Sequence, residues 1–121
     1  MARQDLKERT KQFALRIIKL YTTLEKTKSY PEIIGKQLLR SGTSIGANYR
    51  AARIAKSDKD FVNKLKICEE EADESVYWLE LLIDSKAIHV ARLQPLLEEA
   101  KQLTAILTAS IKTHKNNQSP H

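Results

Sequence analysis

Apolar side chains recur every three or four residues along almost the whole chain, and nowhere do they alternate one by one. That is the helical period, in which each segment presents one greasy face; a half-buried strand would need a period of two. From Asp5 to about Lys26, Leu6, Phe13, Ile17, Leu20 and Leu24 share a face that Ile18 and Tyr21 widen. Ser29-Tyr30-Pro31 then interrupts, and Pro31 suits a first helical turn, where its missing N–H has no partner to lose. A second stripe runs through Ile34, Leu38, Ser41, Ile45, Asn48, Ala52 and Ala55, thin in volume and partly polar. Gly42 and Gly46 within it each weaken a helix by about 1 kcal/mol relative to Ala, so they mark a close approach or a kink.

Ser57 or Asp58 can cap a third helix, whose stripe is Phe61, Leu65, Cys68, Ala72, Ser75, Leu79 and Leu82. Its second half, Val76 to Ile83, is apolar almost all round; either this helix is central or another subunit covers it. A turn with Ser85 and His89 leads to a fourth helix from about Ala91, with Pro95 in its first turn and apolar residues from Leu93 to Ile111 at helical spacing. Residues 1–114 are expected to form one all-α, antiparallel up-down-up-down four-helix bundle, because short links force neighbouring helices to run in opposite directions. Residues 115–121, without apolar anchors, are expected to be a disordered tail.

With 121 residues a second core is not expected. One Cys excludes a disulfide scaffold and a Cys-only zinc site, and 3 Gly with 3 Pro argue against a turn-rich β fold. The opening MARQDLKERTKQ is charged where a secretory signal would be apolar, and no window is apolar enough for a membrane span, so the expected location is the cytoplasm.

Sites for chemistry are few. Gly42-Thr43-Ser44-Ile45-Gly46 fits the G-x-S-x-G pattern, but a nucleophile elbow needs a strand before its serine, and none is expected here. The third helix is rich in carboxylates, yet no Glu-x-x-His pair exists to hold two metal ions in a bundle core. No enzyme activity, metal or cofactor is therefore expected. Glu71 and Glu74 lie beside the Ala72/Ser75 stripe, where they could accept hydrogen bonds from Ser41 or Asn48 and fix register. Cys68 sits on the apolar stripe and reads as packing, and Tyr77 and Trp78, among leucines, read as core or subunit interface.

Charge is more informative. Residues 1–31 carry eight Lys/Arg against three Asp/Glu, whereas residues 61–84 carry two against seven, so the formal charge of +6 belongs to the first two helices and the tail. Arg9, Arg16 and Lys19 lie off the first apolar face, and Arg40, Arg50, Arg53 and Lys56 cluster in the second helix and its exit. Such cations can neutralise phosphates without reading sequence; they can equally pair with the acidic third helix.

Ser41-Gly42-Thr43-Ser44-Ile45-Gly46-Ala47-Asn48, then Asp60-Phe61-Val62-x-Lys64-Leu65, then Glu71-Ala72-x-Glu74-Ser75-x-Tyr77-Trp78-Leu79-x-Leu81-Leu82 follow in order. Together they resemble the bacterial four-helix-bundle proteins associated with 23S rRNA intervening sequences, often labelled "S23 ribosomal protein". The resemblance covers roughly residues 5–113. It marks Ser41, Thr43, Ser44, Asn48, Glu71, Glu74, Tyr77 and Trp78 as signature positions; Tyr77, Trp78 and Leu81 are expected in the core or an oligomer interface. It also implies a cytoplasmic homopentamer similar to the accessory protein of diversity-generating retroelements, which engages a reverse transcriptase and nucleic acid. Two departures, Ala51 before Ala52 and Gln102 before Leu103, each remove a carboxylate and make the chain more basic. The expected function is a non-enzymatic oligomeric bundle that binds RNA or DNA through its basic surface; the alternative is a protein-interaction scaffold with no nucleic-acid role.

Overall fold

Each periodic segment is a helix. The computed structural model describes residues 6–118, which form α1 (Leu6–Glu25), α2 (Tyr30–Arg53), α3 (Asp58–Asp84) and α4 (Val90–Gln118), with no strand among the described residues. The chain is thus an all-α four-helix bundle. Pro31 stands at the start of α2, and the Ser57 hydroxyl caps α3 by accepting from the Asp60 N–H at 3.0 Å. Lysine takes the left-handed position usually given to glycine at two helix ends, Lys28 after α1 and Lys86 after α3, at φ 54° and 58°. At the latter, the Ala87 N–H reaches back to the Leu82 carbonyl at 3.2 Å, closing a Schellman-type end.

Two details differ from the sequence expectation. Pro95 is the sixth residue of α4 rather than part of its first turn, so the helix lacks one internal N–H donor there. Moreover, α4 continues past residue 114 to Gln118; residues 119–121 lie outside the described residues, as does Asp5.

The core is built unevenly. Leu6, Phe13, Ile17, Leu20 and Leu24 of α1 and Leu93, Leu96, Leu97, Leu103, Leu107 and Ile111 of α4 belong to one buried cluster that all four helices share. Between them, α2 and α3 contribute many small buried residues: Ser41, Gly42, Ala52, Cys68, Ala72 and Ser75. The consecutive pairs α1/α2, α2/α3 and α3/α4 pack extensively, whereas α1 and α4 meet far less.

The glycines of α2 face α1. A Cβ on Gly42 would lie 3.1 Å from Ile17 Cγ1, one on Gly46 would lie 3.2 Å from Thr10 Oγ1, and one on Gly35 would lie 3.0 Å from Leu24 Cδ1. Of the two sequence alternatives, close approach is the one realised, since α2 is continuous through both residues. Thr10 can be buried there because its hydroxyl donates to the Leu6 carbonyl at 2.7 Å.

On the other side of α2, Ser41 and Ser75 meet at 2.8 Å between hydroxyl oxygens. Each hydroxyl has one proton and a carbonyl of its own helix within reach, Glu71 at 2.9 Å from Ser75 and Leu38 at 3.4 Å from Ser41, so one donates across the seam while the other donates along its helix. No helix of the described residues is long and apolar enough to cross a membrane.

Gly42→Val should lower stability by about 1–3 kcal/mol, because the added carbons must push Ile17 out of its packing. A urea midpoint equal to that of the parent protein would show that α1 and α2 can spread without loss. Cys68 is fully buried, and burial pushes its thiol up from 9.0 to about 12, the Glu71 charge adding to the effect. In the unfolded chain the same thiol ionises near its ordinary value. Stability from this group is therefore intact below about pH 9 and is lost as pH rises toward about 12. Cys68→Ala should flatten that alkaline decline in urea midpoints; identical declines in both proteins would contradict it.

Candidate nucleic-acid interface

The cations singled out in the sequence do not converge on one face. Arg9 forms a two-pronged pair with Glu99 of α4, Nη2 to Oε1 at 2.7 Å and Nε to Oε2 at 3.0 Å, and also donates to Gln102 Oε1 at 3.1 Å. It thus bridges α1 to α4, and one of the two sequence departures, Gln102, supplies an acceptor. Arg16 follows one heptad later and Thr23 one heptad after that. Thr23 accepts from Arg92 of α4 at 3.3 Å, so Arg16 shares the angular position of two residues that reach α4, although it is itself exposed.

Arg40 is committed across α2/α3. Its guanidinium donates to Glu71 Oε1 at 3.2 Å and to Glu74 Oε2, and the same Glu74 oxygen accepts from Trp78 Nε1 at 3.0 Å. This corrects the expected network: Ser41 and Asn48 do not reach the Glu71 and Glu74 carboxylates. Ser41 bonds to Ser75 instead, and the Asn48 amide donates to the Ser44 carbonyl at 2.9 Å. Thr43 and Ser44 likewise donate to carbonyls of their own helix, Leu39 and Arg40, both at 2.7 Å. Ser44 is therefore a mid-helix residue with no strand before it, and Gly42–Gly46 is not a nucleophile elbow.

Tyr77 is 53% exposed and packs its ring beside Trp78, centroids 5.1 Å apart, while Trp78 and Leu81 are half-buried. The apolar second half of α3 is thus covered on most sides by its own bundle, with Tyr77 left at the surface.

The remaining cations are open to solvent. Arg50 lines a groove of about 560 Å³ between α1 and α2, together with Lys7, Lys11, Thr10, Ala14 and Gly46. Lys7, Lys11 and Ala14 are one turn apart on the same edge of α1, and Gly46 and Ala47 form the opposing edge, so the groove has a backbone-close floor and a cationic rim. The one carboxylate there, Glu8, accepts from Gln12 at 2.7 Å. No aromatic ring lines the groove. Such a site can hold phosphodiester oxygens but has no platform on which to stack bases.

Arg53 lies one turn beyond Arg50 and, with Lys56, borders a second hollow of about 540 Å³ near Phe61 and His114. Lys19 is exposed on α1. Lys7 and Lys11 were not among the candidates from the sequence. Their signal is the 7, 11, 14 spacing, which places two cations and a small residue on one edge of a helix.

Among the described residues no group of three or more His, Cys, Asp or Glu side chains could hold a metal ion. Comparison with known proteins agrees with this architecture. The sequence model of the 23S rRNA-intervening sequence protein family matches residues 3–109. A crystal structure of a protein of unknown function from the S23 ribosomal protein family of Bacteroides thetaiotaomicron VPI-5482 is 42% identical, with a TM-score of 0.83, over 88% of this chain and 98% of that one. No curated protein matches. With the family match spanning most of the chain and the same bundle found in a relative of this identity, the chain belongs to the 23S rRNA-intervening sequence protein family.

Proposed function

We propose that this protein is a non-enzymatic cytoplasmic helical bundle that binds RNA or DNA through the phosphate backbone, in the groove between α1 and α2. The observation that carries the reading is the grouping of Lys7, Lys11 and Arg50 around a floor of Ala14, Gly46 and Ala47. Cations held over small residues let a polyanion approach the helices closely, and neutralising phosphates releases counterions whatever the base sequence. The family description, which ties related proteins to a 23S rRNA intervening sequence, supports a nucleic-acid partner. Arg53 and Lys56 extend the cationic edge beyond the groove. Arg9 and Arg40 belong instead to the scaffold, because their guanidinium groups already serve Glu99 and the Glu71/Glu74 pair.

Assembly into a homopentamer is part of the same reading. The exposed Tyr77 ring beside Trp78 favours self-association, and several copies of one weak groove would bind a long polyanion with greater avidity where they reach it together. The scaffold alternative shares that surface and differs only in denying the nucleic-acid role.

Filter binding to a long RNA across a salt series distinguishes the two. Affinity should fall steeply with salt, and Arg50→Glu should weaken binding across all sequences and reduce the log–log salt slope by about 1. Light scattering should show the same particle mass for the parent and variant. Binding that is flat in salt, or untouched by Arg50→Glu with the mass unchanged, would remove the groove from the account.

A further inference from the structure

A second group of cations lies at the far edge of the bundle, where α3 begins and α4 ends. Lys59, Lys66 and Lys115 line a crevice of about 560 Å³, with Val62, Asn63 and Asp58 completing its walls. Lys59 and Lys66 are one heptad apart on α3, and Lys115 comes across from α4, so the three ammonium groups arrive from two helices.

Asp58 is the one carboxylate in the crevice wall, and Asp60 and Glu69 lie near it on α3. Asp58 Oδ1 faces His114 Nε2 at 3.8 Å, Asp60 faces Lys64 at 3.9 Å, and Glu69 accepts from the Thr108 hydroxyl. Lys66 and Lys115 stand side by side in that wall, one from each helix. The neighbouring Lys66 side chain holds the Lys115 ammonium below its ordinary range, with Glu69 acting the other way. Like charges brought together by a fold are relieved when an anion sits between them.

We infer that this crevice is an oxyanion site that takes a phosphomonoester, held by Lys59, Lys66 and Lys115 with the Asn63 amide as a further donor. Three cations against one shared carboxylate favour a doubly charged ligand over the single charge of a phosphodiester. The site stands apart from the α1/α2 groove in residues and helices, and it does not rest on the function proposed for that groove. Its occupant is a phosphate carried either by a small molecule or by the end of a nucleic acid.

The test is amide NMR on the full-length protein with inorganic phosphate as probe. Phosphate should shift resonances at Lys59, Asn63, Lys66 and Lys115, and Lys66→Gln and Lys115→Gln should each weaken that response about tenfold, the loss expected for one charge-assisted hydrogen bond. Both lysines are exposed, so circular dichroism should show unchanged helicity. A second arm compares a short oligonucleotide bearing a 5′-phosphate with its 5′-hydroxyl counterpart. Crevice shifts with the phosphorylated oligonucleotide alone assign the site to a nucleic-acid end; shifts with inorganic phosphate but neither oligonucleotide assign it to a small molecule. No shift at these residues, or shifts that survive both substitutions, would overturn the site. Because the groove is probed by Arg50→Glu and the crevice by the two lysine variants, failure of one does not imply failure of the other.

Discussion

Everything in this bundle follows from the narrowness of α2. The helix offers glycine to α1 and a buried serine to α3, so side chains of α1 approach its backbone closely and two hydroxyls meet across the other seam. At such separations a single methyl group matters, because protein interiors are packed as densely as organic crystals. The large residues of α1 and α4 can then fill the space left over, since their positions are set by the two close seams. A helix that looks poor by propensity is thus the part that locates the others.

The polar residues on α2 do two different jobs, and position decides which. Inside the α2/α3 seam, the Ser41–Ser75 pair satisfies two buried hydroxyls. At its rim, Arg40 gathers Glu71 and Glu74, and Glu74 in turn orients the indole of Trp78. The rim pair is half-exposed, so its worth lies less in stability than in holding the register of α2 on α3 and the angle of the one tryptophan. The same logic commits Arg9 to the scaffold, since Glu99 takes the Nε/Nη2 edge of its guanidinium and Gln102 accepts from Nη2 as well. What remains for an outside anion is a smaller and better-defined set than the net charge suggests.

The four helices were legible because each buries one face, and the apolar period survives every local irregularity. Pro31 and Ser57 marked two starts correctly, as each solves the unpaired amides of a first turn in a recognisable way. The ends of α1 and α3 fall where the apolar stripes stop, although lysine and not glycine occupies the left-handed position after each. The distribution of cations was harder to read: helical spacing shows which side of its own helix a residue occupies, but not which neighbour covers that side. Arg9, Arg40 and Arg50 looked equivalent along the sequence. They separated only when α4, α3 and α1 were set beside them, which is why Lys7 and Lys11 emerged as partners of Arg50 while Arg40 did not.

The three extensive seams all join helices adjacent in the chain, and the seam between the first and last helices is the slight one. Native contacts are therefore mostly local in sequence, and little loop entropy stands between an unfolded chain and its first productive hairpin. A protein arranged this way can acquire its shape progressively from either end, one antiparallel pair after another, with ring closure through Arg9 and Glu99 left as a late step.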